Sequence, residues 1–217
     1  MSVFRFKQFV VDQSGAAMKI NTDGVLLGAM AVSHAPEHIL DIGTGTGVIA
    51  LMLAQRFPSA QVDAIEVDQT AAAIAERNCR NSPFSRRTAV YATDLADYVP
   101  AVRYDLIVSN PPYFVDALRN RDVRKRLARH ADRMFFDALL ERGGEWLTEK
   151  GSLQLILPMP FAEEIIDIAV HRYGLQVQWQ RDIRSFIGAP VLRRVVALGQ
   201  TLGHVVGEQA DVVIFSG

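Results

Sequence analysis

The sequence holds one cysteine, Cys79, in 217 residues, which excludes an intramolecular disulfide, and its helical setting marks the thiol as a small buried side chain. Its five histidines (His34, His38, His130, His171 and His204) are scattered, without the spaced Cys or carboxylate partners that metal ligation needs, so no metal is expected. No apolar run approaches the length of a membrane span. The opening Met1-Ser2-Val3-Phe4-Arg5-Phe6-Lys7 lacks the apolar stretch of a secretory leader, and a cytoplasmic location is expected. There is no repeat, low-complexity tract or linker. The net charge of −1 argues against a wholly basic nucleic-acid binder.

What is present is a core. An apolar content of 49% and a mean hydropathy of +0.11 allow one domain over residues 1–217, with residues 1–35 preceding the core, 36–200 forming it and 201–217 a tail. Apolar runs alternate with amphipathic stretches: strand 38–42, helix 48–56, strand 61–66, helix 71–81, strands 88–92 and 105–109. A helix 136–147, a strand 152–157 after a turn at Gly151, a helix 161–171 and two strands, 176–183 and 194–198, follow. This is the α/β rhythm of a mostly parallel sheet with helices on both faces, closed by an antiparallel C-terminal hairpin. The first 30 or so residues are expected to fold as a flap over the sheet's edge.

Two segments carry chemistry. The run Tyr104–Ser109 stops on Asn110-Pro111-Pro112-Tyr113. Neither proline donates a backbone N–H, both fix φ, and each extends its predecessor, so the turn is stiff. That leaves the Asn110 amide and the Pro111 carbonyl as acceptors beside the Tyr113 ring, a shape suited to an amino group on a planar ring or amide. An ordinary strand-ending turn is the plainer alternative.

The second is Asp41-Ile42-Gly43-Thr44-Gly45-Thr46-Gly47, which ends the first sheet strand and opens a helix where α/β sheets bind nucleotides. Gly45 to Ala50 satisfy a relaxed dinucleotide pattern, and Glu66, nineteen residues after Gly47, stands where a ribose-binding acid belongs. An NAD-dependent oxidoreductase is therefore a competing reading. Against it, Asp41 would sit badly beside a pyrophosphate and well beside an ammonium group, which favours an amino-acid-bearing nucleoside. Asp94, after the third strand, is placed to accept from an adenine amino group; as a structural residue it would cap a helix.

Together, this loop, Glu66, Asp94 and Asn110–Tyr113 resemble the Rossmann-like class I S-adenosylmethionine-dependent methyltransferases that modify amino groups, whose sheet has seven strands. Narrower similarity lies in Phe6-Lys7-Gln8-Phe9, in Ala17-Met18-Lys19-Ile20-Asn21-Thr22-Asp23-Gly24-Val25-Leu26-Leu27-Gly28-Ala29, in Phe114 and in Leu127-Ala128-Arg129-His130. These resemble the bacterial tRNA adenine N6-methyltransferases that act on adenine-37 of a valine tRNA. The resemblance implies S-adenosylmethionine as cofactor, bound by Asp41, Gly43, Gly45, Gly47, Glu66, Asp94 and Asn110, with Lys19, Thr22 and Asp23 near it and residues 1–35 helping to cover it. It implies catalysis at Asn110, Pro111, Pro112 and Tyr113 and a tRNA partner; the sequence does not fix the oligomeric state, and a monomer is the expectation. Val205–Gly217 departs from the pattern in lacking an aromatic-rich ending.

From Arg119 to Arg133, seven basic residues (Arg119, Arg121, Arg124, Lys125, Arg126, Arg129, Arg133) face two acids, Asp122 and Asp132. With His130 they form the expected RNA contact, since phosphates bound there would lie beside the pocket. The alternatives are a protein glutamine N5-methyltransferase and a guanine N2-methyltransferase of RNA. The first usually carries a separate N-terminal substrate domain, for which about 35 residues before Asp41 leave no room. The second more often has Phe at the position of Tyr113.

Overall fold

The computed structural model describes residues 2–111, 123–159, 161–202 and 212–215, with the side chains of residues 123–132 left aside. Strands β3 (His38–Ile42), β4 (Gln61–Glu66), β5 (Thr88–Ala92), β6 (Tyr104–Ser109) and β7 (Leu147–Pro158) run parallel in the order β7-β6-β3-β4-β5. Beyond β7 the sheet continues through β9 (Val191–Gly199), antiparallel to β7, and β8 (Gln176–Arg184), antiparallel to β9. The two-residue β10 (Val212–Val213) adds an eighth strand at the edge, one more than expected.

Alternation along the strands sorts side chains onto two covered faces. Ile39, Val62, Ala64, Leu106 and Val108 meet α1 (Thr22–Met30), α2 (Val48–Arg56) and α3 (Gln69–Arg80). Leu40, Ile42, Ile65 and Ile107 meet α4 (Val123–Trp146) and α5 (Phe161–Tyr173). Cys79 is buried on α3, where burial pushes its thiol up to about 11.

Besides shifts of one to three residues at element ends, three features differ from the sequence reading. Helix α4 begins at Val123, not Phe136, so the segment 123–133 is helical backbone; its Arg, Lys, Leu and Ala are good helix formers. Strand β7 begins at Leu147 and passes through Gly151, which makes no turn. A Cβ there would stand 2.7 Å from the Tyr104 carbonyl oxygen, so glycine admits a close backbone approach at the irregular β6–β7 register. The N-terminal residues form a hairpin of β1 (Val3–Arg5) and β2 (Val10–Asp12) followed by α1, and the hairpin packs against helices α2 and α3 instead of over the sheet's edge. Phe9 and Val11 are the cause: both are buried in the α2/α3 cluster.

Candidate active site

The loop after β3 turns at Gly43, Gly45 and Gly47, whose φ values are +72°, +58° and +83°, a region that side chains with a Cβ resist. The Gly43 and Thr44 amides both donate to the Ile65 carbonyl (2.9 and 3.1 Å), laying the loop across the end of β4. Among the described residues nothing lies within 4 Å of a Cβ built on Gly43 or Gly45, so a ligand can reach the backbone there.

Asp41 lies beneath this loop, fully buried. Its Oδ2 accepts from Thr44 Oγ1 (2.6 Å) and from the Ala50 amide (3.1 Å), closing the loop onto the first turn of α2. Its Oδ1 is buried without a partner among the described residues. Burial pushes the carboxyl up to about 7 against the pull of those two bonds, and the charge of Glu66 adds to the rise. Asp41 therefore shapes the loop from beneath through these two bonds.

Glu66 ends β4 half-buried; its Oε2 accepts from the Gly45 amide (2.9 Å) and its Oε1 from the Asp68 amide (3.0 Å). Asp94 is exposed past β5. Its Oδ1 accepts from the Ala96 amide (2.8 Å) while its carbonyl takes the Asp97 and Tyr98 amides, a local turn. The registers Ile42 to Ile65 and Glu66 to Ala92 set the three strand ends level. With strands about 4.8 Å apart, the glycine loop, Glu66 and Asp94 form a row about 10 Å long.

Asn110 follows Ser109, whose hydroxyl donates to the Ile42 carbonyl (2.8 Å) and ties the ends of β6 and β3 together. The Asn110 Nδ2 donates to Asn21 Oδ1 (3.3 Å), and that same oxygen accepts from the Gly24 amide (2.8 Å) as the N-cap of α1. Asn21 thereby orients the amide: nitrogen toward the helix, Oδ1 left to accept elsewhere. A Cβ on Gly24 would come within 3.4 Å of both Asn21 and Asn110, so α1 starts tight against the site. Pro111 is buried. Pro112 and Tyr113 lie outside the described residues.

Lys19 and Thr22 are exposed at the approach to α1. Asp23 is tied across the molecule to Arg193 of β9, whose Nε donates to Asp23 Oδ2 at 2.8 Å. Of the basic residues, Arg133 is exposed on α4. Arg124, Lys125, Arg126, Arg129 and His130 fall on the helical backbone with side chains outside the description, and Arg119 and Arg121 lie outside the described residues altogether.

Sequence reasoning missed three residues. Asn21 and Arg193 give no local signal, because their partners are remote in the chain. Asn78 did give one: it is a polar residue on the apolar stripe of α3, among Ala72, Ile74, Ala75 and Cys79. It is buried, its Nδ2 donates to the Thr46 carbonyl (2.9 Å) and the Asp12 carbonyl (3.0 Å), and its Oδ1 accepts from the Asp12 amide (3.0 Å). It clamps the N-terminal hairpin to the glycine loop. Among the described residues no group of three or more His, Cys, Asp or Glu could hold a metal ion, and no helix is long and apolar enough to cross a membrane.

Comparison with known proteins identifies the fold and the family. The fold is shared with solved structures: TYW2 of P. horikoshii in complex with MeSAdo (TM-score 0.63, 18% identity, covering 90% of this chain and 69% of that one) and a ribosomal protein L11 methylase from Lactobacillus delbrueckii subsp. bulgaricus (TM-score 0.57, 19% identity, 84% and 78%). Curated relatives named tRNA1(Val) (adenine(37)-N6)-methyltransferase are 52% identical in Pedobacter heparinus, over 94% of this chain and 88% of the relative, and 44% identical in Parabacteroides distasonis, over 91% and 84%. Residues 17–158 match the model of the methyltransferase small domain. The chain belongs to that family and, within it, to the group of tRNA1(Val) (adenine(37)-N6)-methyltransferases.

Proposed function

We propose that this protein transfers a methyl group from S-adenosylmethionine to the N6 amino group of an adenine in tRNA, adenine-37 of a valine tRNA, as its relatives' names state for them. The observation that carries the reading is the orientation of Asn110, whose Oδ1 is kept as an acceptor by the bond its Nδ2 makes to Asn21.

The residues present suit the cofactor. Asp41, buried with one oxygen unpartnered among the described residues and its carboxyl pushed up to about 7, would ionise more readily with a positive charge over the glycine loop, which favours such a ligand there. The open Cβ positions of Gly43 and Gly45 admit an amino-acid moiety close to the backbone. Next along the row of strand ends, Glu66 offers carboxylate oxygens to ribose hydroxyls and Asp94 accepts from the adenine amino group. Lys19, Thr22 and Asp23 border the same end. S-adenosylmethionine, when bound, supplies the electrophilic methyl.

The chain's own residues deal with the nucleophile. An adenine amino group is weak because its lone pair is delocalised into the ring. Asn110 Oδ1 and the Pro111 carbonyl accept from its two hydrogens, which favours the pyramidal, amine-like nitrogen that develops as the bond to carbon forms. These bonds therefore strengthen toward the transition state. Holding that nitrogen in line supplies much of the remaining acceleration, and no strong base is required, since the methylated cationic amine loses its proton readily. The Tyr113 ring stacks on the base, worth about 1–3 kcal/mol, comparable with the few kcal/mol needed to unstack it. The basic residues 119–133 take the phosphates. The protein works in the cytoplasm, where tRNA resides, as a monomer.

The test is methyl transfer to a valine tRNA transcript. Asn110→Ala should abolish turnover while calorimetry shows S-adenosylmethionine still bound and NAD not bound. Asn21→Ser, which keeps a capping hydroxyl but is too short to reach Asn110, should lower kcat at nearly unchanged stability. Unchanged turnover in Asn110→Ala, or binding of NAD alone, would remove the reading.

A further inference from the structure

The turn between β8 and β9 carries exposed apolar side chains. Phe186 is 57% exposed and Ile187 87%, with Leu192 (43%) beside them on β9. Single exposed apolar residues are ordinary, but a cluster at one tip marks a contact surface.

The tip is also braced. The Ala189 amide donates to the Phe186 carbonyl (3.1 Å), Gly188 supplies the positive φ (+81°) that the turn needs, and Arg184 Nη1 donates to the Ala189 carbonyl (2.7 Å). On its other flank the tail residues add two more bonds: the Ile214 amide to the Arg184 carbonyl (3.0 Å) and the Phe215 amide to the Ser185 carbonyl (2.8 Å). Phe215, 67% exposed, joins the same patch.

Register locates the tip relative to the active site. Ser109 pairs with Leu155, Leu155 with Val196, and β9 begins five residues earlier at Val191. The tip therefore rises roughly 17 Å beyond the carboxyl end of β6, two to three strands, or about 10–14 Å, to its side. It stands about 20 Å from Asn110 on the side from which a substrate must enter. Its root keeps an excess of positive charge: Arg181, Arg184, Arg193 and Arg194 stand against Asp182, which pairs with Arg194 and lies near Arg184, and Asp23, which holds Arg193. Aromatic surface over a positive root is the combination that binds unpaired bases and their phosphates.

Resting on the proposed function, we propose that this tip, with Phe186 at its centre, is a second RNA contact that stacks on an unpaired base of the anticodon loop outside the methylation pocket. Its occupant is a nucleobase, not a second copy of the chain. Stacking needs a π face and tolerates any base, so the contact contributes affinity and placement, not base identity.

The experiment uses the full chain, S-adenosylmethionine and an anticodon stem-loop RNA of valine tRNA, with Phe186→Ala and Phe186→Trp. Phe186→Ala should raise KM for the RNA about tenfold, or about 1.4 kcal/mol, with KM for S-adenosylmethionine and kcat little changed. Phe186→Trp should restore it. 2-Aminopurine placed in turn at the unpaired loop positions should be quenched at one of them by the wild type and not by Phe186→Ala. An unchanged RNA KM in Phe186→Ala, or equal losses for both substrates, overturns the proposal. So does sedimentation showing a dimer that Phe186→Ala splits, which would assign the patch to self-association. If the wild type methylates no RNA, the functional reading itself falls. If it does so and Phe186→Ala matches it, the tip contact alone falls.

Discussion

Asp41 shows how one buried side chain couples chemistry to stability. Its folded pKa, pushed up by burial to about 7 from 3.8, means the native chain holds that proton more tightly than the unfolded chain. Its contribution to stability is then complete below about 3.8 and is lost as pH rises toward 7. Glu66, whose charge adds to the rise, acts in the same direction. Asp41→Asn removes this dependence: in urea titrations its midpoint, relative to wild type, should climb between pH 4 and pH 7 and then level off. A relative midpoint flat across that range would mean Asp41 stays ionised in the fold. At this scale residue type and spacing single out Asp41, Glu66, Asp94 and Asn110 as candidates, and the strand registers bring them to one end of the sheet. It could not show Asn21, which meets Asn110 across 89 positions, because such pairs exist only after the sheet has formed.

Among the elements, most boundaries were legible because apolar period and glycine punctuation agree over β3, α2, β4 and β5. The failures have a common source. Gly151 reads as a turn in sequence, yet a close carbonyl makes it part of β7, and Phe9 and Val11 read as a loose flap until the α2/α3 face is there to bury them. The exit of α1 is held the same way, by a distant partner. Fully buried Gln154 on β7 accepts from the Val32 amide (2.9 Å) and donates to its carbonyl (2.6 Å), so one side chain satisfies both backbone groups just past the helix. Gln154→Leu keeps the volume but leaves the Val32 groups unpaired. It should destabilise the protein by about 2–4 kcal/mol, read as a lower urea midpoint at unchanged slope. A loss under about 0.5 kcal/mol would mean that water replaces both bonds.

For the molecule as a whole, an early and a late segment of the chain meet at the start of α1. Arg193 and Asp23, 170 positions apart, link the C-terminal hairpin to the first turn of the helix that carries Asn21. A double-mutant cycle of Arg193→Gln and Asp23→Asn should give a coupling of about 0.5–1 kcal/mol in stability. Arg193→Gln should also raise KM for S-adenosylmethionine, because the start of α1 loses its brace; additive effects would mean the pair is incidental. The mostly parallel sheet and its two covered faces follow from the alternating pattern, whereas the strand order and a brace between residues 170 positions apart follow from topology alone. Burial of Cys79 has a practical consequence at this scale. With its thiol at about 11, only about one molecule in ten thousand carries a thiolate at pH 7. The wild-type chain is thus silent toward maleimides, and Ile187→Cys would accept a single fluorophore at the β8–β9 tip, reporting RNA arrival without removing any native cysteine.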